Sequence, residues 1–304
     1  MDASGIGLGG SCDIRVIRRD DFPETLKNMK YPPKRLYLRG RFPAPVEQKY
    51  LCVIGSRKWT RYGQECASRL INGLKGYPIS IVSGLAEGID GIAHEAALEA
   101  GLHCVAFPGS SLDWDQIFPQ CHTGLAKRIV ASGGALLSQW APGYPTGKWA
   151  FPARNRLMAG LSHAILIIEA GKRSGSLMTA KYAENFNRDV YAVPGSINAP
   201  LSYGTHMLIR RGAALITDPI DLLQELGFKV DADHSSGGPQ YLPESVRADH
   251  LAMRMISLIS LEDVCTGLLV SKLKASIQDI NASLSLLEIN GLIQIEGDTA
   301  SLIR

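Results

Sequence analysis

Four short segments of this chain carry residue types suited to holding an anion. They are Gly55-Ser56-Arg57, Ser83-Gly84 followed closely by Gly88-Ile89-Asp90, Pro108-Gly109-Ser110-Ser111, and Gly171-Lys172-Arg173-Ser174-Gly175-Ser176. Small residues let a backbone approach a ligand, and free amides at a helix start attract negative charge. Glycine and serine are also common turn formers, so any one segment is equally at home as a turn. Arg57 and the Lys172-Arg173 pair favour the anion reading, because a cation does nothing for a turn. Gly55, Ser56, Arg57, Ser83, Gly84, Lys172, Ser174, Gly175 and Ser176 are therefore expected at one phosphate cradle.

A second cluster joins cations to aromatics: Lys148-Trp149-Ala150-Phe151-Pro152-Ala153-Arg154-Asn155-Arg156. Aromatic rings stack on bases while lysine and arginine meet the phosphates, which is how single strands are held without reading sequence. Lys148, Phe151, Arg154, Asn155 and Arg156 are the candidates. Two alternatives stand beside this. Trp149 reads equally as a core aromatic, and Arg156 as a buried arginine paired with an acid such as Glu169.

Catalytic and cofactor patterns fare worse. Gly143-Tyr-Pro-Thr-Gly147-Lys148-Trp149 imitates a phosphate loop of the ATPase type, but one residue is missing between the glycines. Trp149 also stands where a hydroxyl must hold magnesium. Gly5, Gly7 and Gly10 fit a dinucleotide fingerprint with no strand before them. Asp90 and His94 lie four apart and could act as an acid/base pair. The plainer reading puts Asp90 in a helix's first turn, where the dipole favours a carboxylate, and His94 in packing. There is no GxSxG elbow, HExxH pair or CxxC spacing. No catalytic residue, cofactor or metal is expected, and Cys52 and Cys104 read as small core residues.

These segments need a scaffold that gathers them. Short apolar runs recur at 51–55, 79–84, 103–109, 135–140, 164–170, 189–195 and 213–216. They do not alternate, which suits strands buried on both faces of a parallel sheet. Between them lie helical patterns. In 60–75, Tyr62, Cys66, Leu70 and Leu74 recur every fourth residue beside Ala67 and Ile71, giving one apolar stripe. Residues 88–100 and 175–187 behave alike. Strand–helix alternation of this kind predicts a doubly wound α/β fold, with ligands outside the carboxyl ends of the strands.

The chain divides into four parts by pattern. Residues 1–45 read as a short lead-in with one small helix near 21–29, and 46–230 as the α/β domain. Residues 231–246 are polar, rich in Gly, Ser and Pro, and read as a linker. Residues 247–304 read as helices ending in a hairpin around Gly297-Asp298, a winged-helix pattern. The best recognition helix there, IQDINASLSLLEIN (277–290), has no Lys or Arg, so a duplex-binding role is not expected.

Composition sets outer limits. The chain has 304 residues, 45% hydrophobic and 20% charged, with a net charge of +3. That charge alone does not argue for nucleic acid. No apolar run approaches the roughly 20 residues of a membrane span, and the N-terminus lacks a signal-like apolar region. A cytoplasmic protein without membrane contact is expected.

In order along the chain, Gly55-Ser56-Arg57, Ser83-Gly84-Leu85-Ala86-Glu87-Gly88-Ile89-Asp90 with Ala93-His94, Phe151-Pro152-Ala153-Arg154-Asn155-Arg156 and Lys172-Arg173-Ser174-Gly175-Ser176 resemble the DprA/Smf family, the DNA-processing protein A of natural transformation. The match runs from about residue 32 to the end. The resemblance implies an extended Rossmann-like parallel-sheet domain with a small C-terminal winged-helix domain. It implies a DNA-binding protein and not an enzyme, one that binds and protects single-stranded DNA, helps load RecA recombinase and forms a homodimer. It places Arg57, Lys148, Phe151, Arg154, Asn155 and the 172–176 loop at the DNA pocket. Many members begin with a helical domain, whereas only residues 1–45 precede the sheet here. Two readings from other classes remain: a Rossmann-like sensor of a phosphorylated small ligand, and a LOG-type nucleoside monophosphate phosphoribohydrolase. The latter carries a PGGxGT loop, which neither Pro108-Gly109-Ser110-Ser111 nor Pro194-Gly195-Ser196-Ile197 matches.

Overall fold

The structure, a computed structural model, describes residues 14–42, 48–145, 147–230, 249–259, 264–273 and 275–302. The expected linker, the glycine trio Gly5, Gly7 and Gly10, and Lys274 lie outside these. The chain forms two compact units, Met1–Lys229 and Val230–Arg304.

The first unit is built on a nine-stranded sheet. Its strands are β1 (Arg15–Arg18), β2 (Arg35–Gly40), β3 (Lys49–Ile54), β4 (Ile79–Ser83), β5 (His103–Ala106), β6 (Ala135–Ser138), β7 (Ala164–Ile167), β8 (Asp189–Ala192) and β9 (Ala214–Leu215). They lie in the order β1-β2-β6-β5-β4-β3-β7-β8-β9. All neighbours from β6 through β9 are parallel. The central strands β4, β6 and β7 are buried along their whole length. Burial on both faces is why their sequences are apolar without alternation.

Eight helices belong to this unit among the described residues: α1 (Glu24–Lys27), α2 (Arg61–Asn72), α3 (Ile89–Glu99), α4 (Thr123–Ala131), α5 (Ala150–Leu161), α6 (Gly175–Asn185), α7 (Tyr203–Arg210) and α8 (Pro219–Glu225). Caps fix several starts. Thr60 accepts a hydrogen bond from the Gly63 amide to begin α2, and Ser174 accepts one from Ser176 to begin α6. Each such cap stabilises by about 1 kcal/mol.

Two expectations need correcting. Residues 14–42 are not a lead-in. β1 pairs antiparallel with β2, and β2 pairs antiparallel with β6, so this stretch extends the sheet by two strands. Leu36 and Leu38 are buried in it, as are Phe22, Leu26 and Met29 beside it. The second correction concerns α2. Its buried face runs through Gly63, Ala67, Leu70 and Ile71, while Tyr62 is 46% exposed. A Cβ at position 63 would collide with the Glu169 carboxylate, so the residue of closest approach must be the smallest. Tyr62 instead turns its hydroxyl to the Pro194 carbonyl, 2.6 Å away.

The second unit contains α9 (His250–Ile259), β10 (Val264–Cys265), α10 (Thr266–Leu273), α11 (Ile277–Ile289), β11 (Ile293–Glu296) and β12 (Thr299–Leu302). Its sheet is antiparallel in the order β10-β12-β11. The stripe Ile280, Leu284 and Leu287 on α11 is buried in the unit's own core. Each of these side chains contributes about 1.5–3 kcal/mol by leaving water. Gly291, at φ +66°, ends α11, and Gly297, at φ +65°, lies between β11 and β12. No helix among the described residues is long and apolar enough to cross a membrane.

Candidate functional site

Strands leave β3 in opposite directions: β4, β5 and β6 succeed one another on one side, and β7, β8 and β9 on the other. The loops after β3 and β7 therefore part where the winding reverses, which opens a crevice at the carboxyl edge. A cleft of about 470 Å³ lies there. It is lined by Gly55, Ser56, Arg57 and Lys58 after β3, by Phe151, Arg154, Asn155 and Met158 of α5, and by Arg173, Ser174, Gly175 and Ser176 after β7. The chain thus folds three sequence-distant candidate segments into one wall.

Hydrogen bonds lock the two loops together. The Ser176 hydroxyl donates to the Gly55 carbonyl at 2.9 Å and lies 2.9 Å from the Ser174 hydroxyl. From behind, the buried Glu169 carboxylate accepts from the Thr60 amide at 3.0 Å and from the Thr60 hydroxyl at 2.5 Å. Gly88, at φ +83°, takes a backbone shape that side chains resist, and any Cβ there would strike Ser56 and Arg57. Arg57 consequently projects from a loop held on three sides, and its side chain is exposed.

Arg57 lies over the Phe151 ring, 5.4 Å from guanidinium carbon to centroid. Phe151 is half-buried and also meets Phe118, with ring centroids 5.5 Å apart. Phe118 itself is 43% exposed. Gly109, at φ +74°, leaves room for Phe151, whose ring carbon is 3.1 Å from where a Cβ would stand. A cation over an aromatic face, beside a second ring, can meet a phosphate and a base at once.

Arg154 does something different. It is 7% exposed and donates to the carbonyls of Gly84 and of Phe107, the latter at 2.8 Å. Its guanidinium lies 3.7 Å from Asp90, which is also buried. Burial raises the Asp90 carboxyl from its usual range, opposed by Arg154 and by main-chain amides of residues 55, 84 and 86. Burial also lowers Arg154, while Asp90 supports its charge. Arg154 is thus the floor of the cleft, with its donors engaged by two main-chain carbonyls, by Asp90 and by the Asn155 side-chain oxygen at 3.0 Å. A buried arginine does pair with an acid, but it is Arg154 with Asp90 and not Arg156 with Glu169. Arg156 is half-exposed and donates to the carbonyls of Lys30 and Tyr31, at 3.2 and 2.7 Å, away from the cleft.

Other expected residues fall outside the cleft wall. Ser83 is buried and donates its hydroxyl to the Val53 carbonyl at 2.6 Å, so it joins β4 to β3. Gly84 lies beneath, where a Cβ would overlap Arg154 and Asp90. Ser110 and Ser111 are fully buried, and their hydroxyls bond within their own loop. Lys148 is exposed but does not line the cleft. Lys172 turns to the Tyr203 ring at 5.6 Å, leaving Arg173 as the cleft-lining cation of that pair. His94 is fully buried on α3, and its ring nitrogens have no hydrogen-bond partner among the described residues. Burial depresses its basicity to about 3, and no hydrogen bond joins it to Asp90 among the described residues.

The sequence profile of the family described as DNA recombination-mediator protein A matches residues 13–227. The chain belongs to this family. Protein Smf of Escherichia coli is 40% identical over 206 residues, which are 68% of this chain and 54% of that protein. DNA processing protein DprA of Streptococcus pneumoniae is 39% identical over 209 residues, 69% of this chain and 72% of that one. The chain thus spans about half the length of the E. coli protein. The solved structure of S. pneumoniae DNA processing protein A superposes with a TM-score of 0.66 at 36% identity, covering 71% of this chain and 75% of that one. That of Helicobacter pylori, described for its single-stranded DNA binding mode, gives 0.64 at 29% identity over 71% and 96%. The family match covers the first unit and stops short of the second, whereas the sequence resemblance was expected to run to the end of the chain.

Family membership does not by itself single out Phe118, Lys58 or Glu169; sequence reading missed the first two and offered Glu169 only as a partner for Arg156, whereas it accepts from Thr60. Phe118 sits in a loop with no basic neighbour to flag it. Glu169 follows an apolar strand and reads as a strand end. Only Lys58, adjacent to Arg57, carried a signal that could have been used.

Proposed function

We propose that this protein binds single-stranded DNA in the cleft at the β3/β7 switch point. The observation that carries this is Arg57 lying over Phe151, within a cleft rimmed by the Ser174–Ser176 start of α6. Phosphates would meet Arg57, Arg173 and the positive end of the α6 dipole, and one base would stack on Phe151. The open cleft with an aromatic ring in its wall favours a splayed single strand over a duplex, whose bases face inward. The H. pylori relative's binding mode supports the same ligand. The protein works as a binder and not a catalyst: Asp90, the carboxylate in the cleft lining, is engaged by Arg154, and His94 is sealed in the core. As the family resemblance implies, it acts in the cytoplasm as a homodimer that protects the strand and passes it to RecA recombinase. The second unit forms a winged-helix module that serves protein contacts, since α11 presents no lysine or arginine.

Titration of wild type with matched single- and double-stranded oligonucleotides tests the ligand. Single strands should bind more tightly, with a log–log salt slope near −0.7 per phosphate neutralised. Equal affinity for both forms would count against the cleft. Thermal melts with oligo-dT and with mononucleotides separate this reading from a nucleotide sensor or hydrolase, which alone would gain much from the mononucleotide.

Two substitutions probe the wall. Arg57→Ala should weaken single-strand binding by about 1.5–3 kcal/mol, roughly 10- to 150-fold, with little change in melting temperature. A marked loss of stability with unchanged affinity would reassign Arg57 to the fold. Phe151→Ala should weaken binding by about 1–3 kcal/mol while leaving the salt slope intact, because stacking releases no counterions. A smaller slope in that variant would mean that losing the ring displaces Arg57.

A further inference from the structure

The loop after β6 holds a second aromatic group outside the cleft. Trp140 stacks on Tyr144 at 5.1 Å, and Trp149 meets both edge-on, at 4.5 and 5.7 Å. Tyr144 is 42% and Trp149 49% exposed. Large rings facing water need an explanation when the loop that carries them is held in place. This one is pinned. The Trp140 amide donates to the Ser138 hydroxyl at 3.0 Å, which itself donates to the Ser110 carbonyl at 2.6 Å. The Gly143 amide donates to Asp113 at 2.6 Å. Trp149 caps α5, whose first turn carries Phe151, so the group continues directly from the cleft wall. Lys148, which does not line the cleft, lies between Tyr144 and Trp149 in sequence and is exposed.

We propose that Tyr144 and Trp149 form a second stacking platform, which receives unpaired bases of the strand where it leaves the cleft toward β6, with Lys148 meeting the backbone. This rests on the single-strand reading of the cleft. The ligand is single-stranded nucleic acid of any sequence, since every base offers a face to stack. The rings are pre-placed by the pinned loop, so little ordering entropy opposes binding.

The test compares a short oligo-dT of about 4 nucleotides with a longer one of about 12, on wild type and on the Tyr144→Ala/Trp149→Ala double variant. A third ligand is the longer oligonucleotide with its added stretch abasic. The short ligand should bind both proteins alike. The longer one should bind wild type roughly five- to hundred-fold more tightly, a gain that disappears in the variant and with the abasic ligand. Tryptophan emission of wild type should be quenched by the longer ligand and not by the short one. A gain that survives both in the variant and with the abasic ligand, or no gain at all, overturns the platform and leaves the rings as packing for their loop. Failure of the short ligand to bind wild type sinks the cleft reading and this inference with it. Should the double variant not fold, the abasic ligand and the quenching on wild type decide alone.

Discussion

Arg154→Ala should destabilise the protein by about 3–5 kcal/mol and leave the salt dependence of DNA binding unchanged. The arginine is buried, bonds two main-chain carbonyls and faces the buried Asp90. Its removal leaves an uncompensated carboxylate and two orphaned acceptors, each costly in a dry site. Asp90 can escape only by taking up a proton, so the deficit should shrink as pH falls. Adding Asp90→Asn to an Arg154→Leu background should recover part of the loss, because replacing both members of a buried pair is far milder than removing one. Denaturant melts of the single and double variants measure this coupling. A variant that melts like wild type but binds with a reduced salt slope would show that Arg154 touches phosphate after all.

His94 should make the fold acid-sensitive. Free histidine titrates near 6.5, while in the folded protein burial holds His94 down to about 3. Between these values the unfolded chain takes up a proton and the native state does not. Stability is therefore complete above about 6.5 and is lost as pH falls toward 3, at up to about 1.4 kcal/mol per pH unit. His163, lowered to about 4, acts in the same direction, while Asp90, raised by burial, acts in the opposite one. The contribution of His94 is thus isolated as a difference. Measured from pH 7 to pH 4, the urea midpoint of wild type should fall relative to that of His94→Leu as pH drops, whichever starts higher. Parallel curves would mean that His94 finds a proton acceptor or reaches water in the native state.

Much of the architecture could be read from the chain because its signals are local. The parallel strands announce themselves as short apolar runs, and the loops at their carboxyl ends converge whichever residues they hold. That is why Gly55, Arg57, Phe151 and Ser174–Ser176 share one wall although they lie far apart in sequence. What failed depended on partners. β1 reads R-V-I-R, too short and too charged at its ends to signal a strand, yet pairing with β2 makes it one. Arg154 and Arg156 look alike as letters. Only the fold determines that one fills the floor with its donors engaged by carbonyls while the other braces the turn after α1. Ser83 and Ser110 offer the same hydroxyl as Ser176, but sheet packing closes them off. The Phe118–Phe151 contact joins loops that no spacing rule connects.

The strand order has a consequence for how the chain is made. β2 waits for β6, and β3 waits for β7, each roughly a hundred residues further along, or about 5–20 s of synthesis on a ribosome. Until β7 emerges, β3 keeps one open edge, and pairing across such separations is slow because loop closure precedes any reward. The half-made sheet exposes unpaired donors and acceptors beside Leu36, Leu38 and Tyr50, a template for stray chains. The interval between the appearance of β3 and that of β7 is therefore when the growing chain is most open to stray pairing along its sheet edges.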